Sequence, residues 1–156
     1  MSSADVGGAG VTYRDVVEGI RTAQATYAQA LDDGRIDDLA AVFTADGVVD
    51  IQGVGVIEGR EAIRRTYEGW RPASPQRHLI SNLHVTAWDE REATASTDVV
   101  LVQLRDGAWG ISFVARYEDT VRNEDGVWRF ARRSTRFAGA PDLAGVGSGR
   151  QESTSG

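Results

Sequence analysis

The second half of the chain restricts its fold most. Between Arg77 and Phe137 four strand-like segments, 77–88, 92–104, 109–121 and 127–137, follow one another with only short breaks. The breaks are turn-like: Asp89-Glu90-Arg91, Arg105-Asp106-Gly107 and Asn123-Glu124-Asp125-Gly126. Asp-Gly pairs tolerate the positive φ that tight hairpin turns need, so successive strands are predicted to pair antiparallel. Long strands in a meander twist and curl, and one face of the resulting sheet must be covered.

The first half supplies the cover. Thr12-Tyr13-Arg14-Asp15 has the spacing of a helix N-cap with an acid at N3. Val16, Ile20, Ala23, Tyr27 and Leu31 recur at three or four residues, and Gly34 is a C′ stop, which predicts a helix over 13–33. Asp37 caps a second, short helix carrying Leu39, Ala40 and Phe43 and ending near Asp46-Gly47. Residues 48–52 alternate as a short strand, broken up by Gly53, Gly55 and Gly59. Residues 61–70 read as a third helix with Ile63, Tyr67 and Trp70 on one face. Helices first and strands after predict an α+β fold: a cone-shaped barrel of three N-terminal helices on a curved, mostly antiparallel sheet, enclosing a pocket suited to a small ligand. Residues 1–11 and 138–156 are rich in small residues without periodicity and read as a disordered arm and tail around a domain at 12–137.

Composition removes whole classes of function. A chain of 156 residues is one domain by length. A net charge of −6 argues against nucleic acid or an anionic membrane as partner. With no cysteine there is no disulfide, thiolate nucleophile or thiolate metal site. The glycines at 53, 55 and 59 lack the context of a phosphate loop. The first residues lack a basic and an apolar signal region, and no apolar run approaches a membrane span, so a cytoplasmic location is the default expectation. Neither a cofactor nor a metal is implied.

Acid–base chemistry near neutral pH remains, and histidine is the side chain that titrates there. Both histidines, His78 and His84, lie in the first long strand. Strand parity puts His78, Ile80, Asn82, His84, Thr86 and Trp88 on one face. Six residues at about 3.3 Å each hold the two histidines roughly 20 Å apart, too far to share one substrate or one metal ion. His84, in mid-strand, reads as structural.

Several segments follow in a telling order: Tyr27-Ala28-Gln29-Ala30-Leu31-Asp32-Asp33-Gly34, Phe43-Thr44-Ala45-Asp46-Gly47-Val48, Gly59-Arg60-Glu61-Ala62-Ile63, Arg77-His78-Leu79-Ile80-Ser81-Asn82, Arg116-Tyr117-Glu118-Asp119 and Gly126-Val127-Trp128-Arg129-Phe130. Over about residues 13–137 this series resembles the SnoaL-like branch of the nuclear transport factor 2-like superfamily. The resemblance implies the same α+β cone with a deep pocket. The branch includes scytalone dehydratase, bile-acid 7α-dehydratase and polyketide cyclases. In its lyases an aspartate near the end of the first helix pairs with a histidine that opens a strand, and the matching positions are Asp32 and His78. Bile-acid dehydratase adds a helix tyrosine and a strand aspartate, matched by Tyr27 and Asp98. The two water-holding tyrosines of scytalone dehydratase are not matched: Leu31 and Ile51 stand in their places. Relatives often dimerise through the open sheet face, here made polar by Arg116, Glu118, Arg132 and Arg136, so a homodimer or higher assembly is expected.

Elimination beside a carbonyl needs a base for the C–H proton and a donor for the developing oxyanion or the leaving group. A neutral imidazole oriented by a carboxylate meets the first need, which assigns His78 as base and Asp32 as its orienter. A phenol meets the second; Tyr27 is either that donor or a core tyrosine on the apolar stripe. Asp98 shares its strand face with Ser96, Val100 and Val102, an apolar setting that would raise its pKa and make it a proton donor. Asn82, Tyr67, Trp70, Phe43 and Phe113 are the expected substrate-binding wall. Two readings result. One is a cofactor-independent lyase of dehydratase type, isomerase or cyclase, acting on a hydrophobic carbonyl-bearing small molecule such as a polyketide or steroid-like ring. The other is a non-catalytic ligand-binding or assembly domain. A buried Asp32–His78 hydrogen bond favours the first, and a pocket filled by its own side chains favours the second.

Overall fold

The computed structural model describes residues 10–142; the predicted arm and tail therefore lie largely outside the described residues. Three helices, α1 (Tyr13–Asp32), α2 (Ile36–Ala41) and α3 (Arg60–Glu68), pack on six strands: β1 (Phe43–Ile51), β2 (Gly55–Glu58), β3 (Gln76–Trp88), β4 (Glu92–Arg105), β5 (Ala108–Glu124) and β6 (Val127–Phe137). The strands form one curved, unclosed sheet in the order β2-β1-β6-β5-β4-β3. β1 and β6 run parallel and every other pair is antiparallel. The α+β architecture with its antiparallel meander is the predicted one. Among the described residues no helix is long and apolar enough to cross a membrane.

α1 begins where its capping box places it. The Thr12 hydroxyl accepts from the Asp15 N–H, and the Asp15 carboxylate accepts from the Thr12 N–H at 2.8 Å. It ends in a Schellman turn: Gly34, at φ 69°, donates to Leu31, and Arg35 donates to Ala30 at 2.7 Å. The inward stripe Val16, Ile20, Ala23, Tyr27, Ala30 and Leu31 is buried. α1 comes so close to β6 that a Cβ on Gly19 would sit 2.2 Å from the Trp128 ring.

Two elements depart from expectation. The second helix stops at Ala41, because Phe43 already pairs with Phe130 in the sheet, so β1 begins five residues earlier than the alternation at 48–52 indicates. The glycine-rich stretch after it holds strand β2, which folds back on β1 with Val48 opposite Glu58. Gly55 and Gly59, at φ 122° and 90°, permit the turns that flank it rather than abolishing the strand.

The parity of β3 is corrected by a β-bulge. Ser81 pairs with Asp98, but His84 pairs with Ser96, and Asn82 between them adopts φ 56°. One extra residue turns the following side chains over. Gln76, His78 and Ile80 face inward before it, and Leu83 and Val85 face the core after it, leaving His84 exposed on the outer face. The two histidines therefore do not share a face.

Candidate active site

Asp32 closes α1 and His78 opens β3, and the two meet beneath the helix. Their side chains are 4% and 5% exposed. The Asp32 Oδ1 lies 2.6 Å from His78 Nδ1, and the His78 backbone N–H donates to Asp32 Oδ2 at 2.8 Å. The Gln76 amide donates to Oδ1 at 3.1 Å. A carboxylate at a helix C-terminus faces the negative end of the helix dipole, and three converging donors offset that penalty. The role of His78 Nδ1 in this contact follows the tautomer of the ring, and a carboxylate oxygen accepts from its Nδ1–H form. In that form of the neutral ring, Nε2 carries the lone pair.

His78 lines a cavity of about 170 Å³ between the helices and the concave side of the sheet. Tyr27, Leu31, Tyr67 and Trp70 wall it from the helix side, and Gln76, Leu101, Phe113, Tyr117 and Thr135 from the sheet, with Ile51 and Val54 at the β1–β2 end. The Tyr27 and Tyr67 hydroxyls are 2.8 Å apart. Burial raises the pKa of Tyr27, and that of Tyr67 and Tyr117 well above the ordinary phenol value, so all three are protonated donors at neutral pH. Beneath them the Arg133 guanidinium stacks over the rings of Tyr27, Tyr117 and Phe130 at 4.4, 3.9 and 4.0 Å. Arg133 is held by Asp119 through two bonds of 2.8 and 2.7 Å, and its remaining nitrogen Nη1 is buried without a partner. Burial works against the cation, but Asp119, with smaller help from Tyr117 and Tyr27, more than offsets it, so Arg133 stays charged. Its positive charge lowers the tyrosine proton affinities against the burial effect.

The structure thus brings His78, Asp32 and Tyr27 together and sets Tyr67, Trp70 and Phe113 around the same cavity. Phe43 does not line it; the ring is fully buried behind Tyr27, edge-on at 6.1 Å. Asp98 and Asn82 are elsewhere. Asp98 is on the outer face of β4, where Asn82 and Arg116 each donate to it at 2.8 Å. These bonds, Asn82 first, lower its pKa, the reverse of the expected shift. The inner face of β4 is the alternate set Ala93, Ala95, Thr97, Val99 and Leu101. Arg132 and Arg136 are engaged with Asp50 on that outer side. Tyr117, expected with the other aromatics to form core and pocket wall, does line the cavity; sequence reasoning missed Gln76 and the Arg133–Asp119 pair. Gln76 shares the parity of His78, and Tyr117, Asp119 and Val121 alternate with Arg116, Glu118 and Arg122, which is the signal that could have placed them inward.

A larger, more open trough of about 750 Å³ runs along the other side of α1, past Thr22, Asn123 and Trp128. Its lining contains no histidine and no buried acid. Among the described residues no group of three or more His, Cys, Asp or Glu is placed to hold a metal ion.

A curved α+β sheet with an acid–base pair at the rim of its cavity defines a class, and comparison with known proteins agrees. The SnoaL-like domain model matches residues 13–134, so the chain belongs to the SnoaL-like family of the nuclear transport factor 2-like superfamily. Solved structures share the fold. Rv3472 of Mycobacterium tuberculosis, a protein of unknown function in a substituted form, is 26% identical with a TM-score of 0.75, over 80% of this chain and 73% of that one. A candidate scytalone dehydratase from Novosphingobium aromaticivorans is 28% identical with a TM-score of 0.72, over 81% and 87%. A nuclear transport factor 2-like protein with a cystatin-like fold from the same organism is 26% identical with a TM-score of 0.71, over 82% and 85%. No curated protein sequence matches significantly.

Proposed function

We propose that this protein is a cofactor-independent lyase or isomerase that abstracts a proton beside a carbonyl. His78 Nε2 is the base and Asp32 holds the ring. The observation that carries the reading is the buried 2.6 Å contact between Asp32 and His78 Nδ1 at a histidine that lines the cavity. The cavity floor supplies the complementary group. Of the protonated Tyr27–Tyr67 pair, biased by the Arg133 cation, one hydroxyl donates to the other and the accepting one donates its own proton to the enolate oxygen that forms as the proton leaves. If a hydroxyl stands β to that carbonyl, its C–O bond breaks as the enolate collapses and it leaves as water with the proton that His78 took, completing a dehydration; without it, return of that proton to another carbon gives an isomer.

The cavity bears on the substrate. A cavity of roughly 150 Å³ encloses benzene, so about 170 Å³ holds a single ring. A compact cyclic ketone fits inside, whereas a steroid-like nucleus would leave most of its rings outside the mouth. The assay is turnover of single-ring β-hydroxy ketones followed by loss of the substrate. His78→Gln should lower kcat/KM by about 10²–10⁴, the usual worth of a general base. Turnover by His78→Gln equal to wild type would overturn the assignment.

The proposal includes a homodimer through the outer sheet face. Arg116 and Arg136 make part of that face polar, but Leu79, Trp109 and Ile111 are 54%, 55% and 65% exposed at its β3–β5 end. Sedimentation of a monomer at micromolar concentration would refute this part alone.

A further inference from the structure

Behind Asp32 runs a chain of buried polar groups that the base itself does not require. Gln76 lies directly opposite Gln103 in the β3–β4 register, and the two are 4% and 1% exposed. The Gln103 amide donates to Gln76 Oε1 at 3.2 Å, and the Gln76 amide donates onward to Asp32 Oδ1 at 3.1 Å. At the far end Gln103 Oε1 accepts from Arg105 and from the Ser112 hydroxyl, the latter at 2.6 Å. Ser112 is turned inward by a bulge in β5, where Leu101 pairs with Phe113 but Val102 with Ile111. Arg105 is anchored in turn by Asp142 at 2.6 Å.

We infer that this relay, running from Arg105 through Gln103 and Gln76 to Asp32, sets the tautomer of His78, and that Gln76 and Gln103 are positioning residues for the base. Donors and acceptors along the relay can run in only one direction. A guanidinium only donates, so Gln103 must turn its carbonyl to Arg105 and its NH₂ to Gln76. Gln76 must then offer its carbonyl to Gln103 and its NH₂ to Asp32. Flipping either amide sets oxygen against oxygen or N–H against N–H. Asp32 therefore meets an N–H donor from Gln76 on the oxygen that faces His78 Nδ1, and a backbone N–H on the other. Every neighbour asks it to accept, so the imidazole proton is held on Nδ1 and the Nε2 lone pair is left to the cavity. The catalytic consequence rests on the reading of His78 as base; the tautomer itself does not.

The test needs no substrate. The chain has only two histidines, so ring ¹⁵N spectra of the full-length protein in a His84→Gln background report His78 alone, recorded at about pH 9, where an ordinary imidazole is neutral. The unmodified relay should show the Nδ1–H tautomer. Gln103→Glu, whose charge Arg105 can balance, presents an acceptor to Gln76, turns that amide around and sets its carbonyl against Asp32. The ratio of Nδ1–H to Nε2–H should fall about tenfold, the equivalent of one hydrogen bond. Gln103→Met fills the space without imposing a direction and should move the ratio less. Should Gln103→Glu fail to fold, Gln76→Met reports the same link, with the ratio falling as Asp32 loses a donor. An unchanged ratio in the folded variants, or an Nε2–H tautomer with the relay intact, overturns the inference. Failure to find any turnover would instead count against the proposed reaction and leave the ratio to be read on its own.

Discussion

Asp119 and Arg133 make the sharpest stability prediction. Their side chains are 0% and 1% exposed, and two charge-assisted bonds of 2.8 and 2.7 Å join them. Replacing Asp119 with Ala leaves a guanidinium that no water reaches, with Nη1 already unpartnered. Breaking a buried pair by removing one partner costs about 3–5 kcal/mol, against a total stability of about 5–15 kcal/mol for a domain. Stacking over three aromatic rings keeps the cation in place but does not replace the lost acceptors. Urea unfolding followed by tryptophan fluorescence should therefore show a loss of about 3–5 kcal/mol at unchanged slope. The double variant Asp119→Leu with Arg133→Met removes both charges and should lose less than Asp119→Ala alone, because no orphan ion remains. A loss below about 1 kcal/mol for Asp119→Ala, or a double variant worse than the sum of the two single changes, would refute the reasoning.

Other predictions follow from the same structure. Gly19→Ala, which in an exposed helix would add about 1 kcal/mol, should destabilise by about 1–3 kcal/mol, because its Cβ would sit 2.2 Å from Trp128; thermal unfolding reads the sign. Tyr27, Tyr67 and Tyr117 have folded pKa values raised by burial, so their contribution to stability is complete below the unfolded value of about 10 and is lost as pH rises through the folded values; ultraviolet difference spectra should show them ionising together with unfolding. Asp50 has its pKa lowered first by a hydrogen bond from Arg136 and also by Arg132, so it stabilises the fold above about pH 4 and ceases to as pH falls through its depressed folded value. Asp50→Asn should therefore lower the unfolding midpoint at pH 7, and by less as the pH falls below about 4.

The fold was legible wherever a local rule has a single outcome. The Thr12-to-Asp15 box, the Gly34 stop and the Asp-Gly turns each permit one chain path, and α1 and the four meander strands form where those signals stand. The helix end and the strand start that bring Asp32 to His78 follow from the same elements. Alternation, by contrast, separates two faces without saying which is inner. Val100 and Val102 made the Asp98 face look buried, yet Ala95, Thr97, Val99 and Leu101 supply the inner surface. The bulge at Asn82 was invisible because Asn is only one of several residues that tolerate positive φ, and it turned the Asn82 and His84 expectations over together. Strand β2 was masked by the glycines that make its turns. The relay through Gln76 and Gln103 joins residues 27 apart in sequence, and only the β3–β4 register brings them face to face.

The central claim is that His78 removes a carbon-bound proton inside the cavity. The direct measurement is hydrogen–deuterium exchange at the α-carbon of small cyclic ketones in D₂O, read by proton NMR, which responds to proton abstraction whether or not water is then lost. Wild-type protein should exchange at least one ketone that binds it about 10²–10⁴ times faster than His78→Gln does, with Asp32→Asn impaired as well. Equal exchange by wild type and His78→Gln on every ketone that binds would contradict the account.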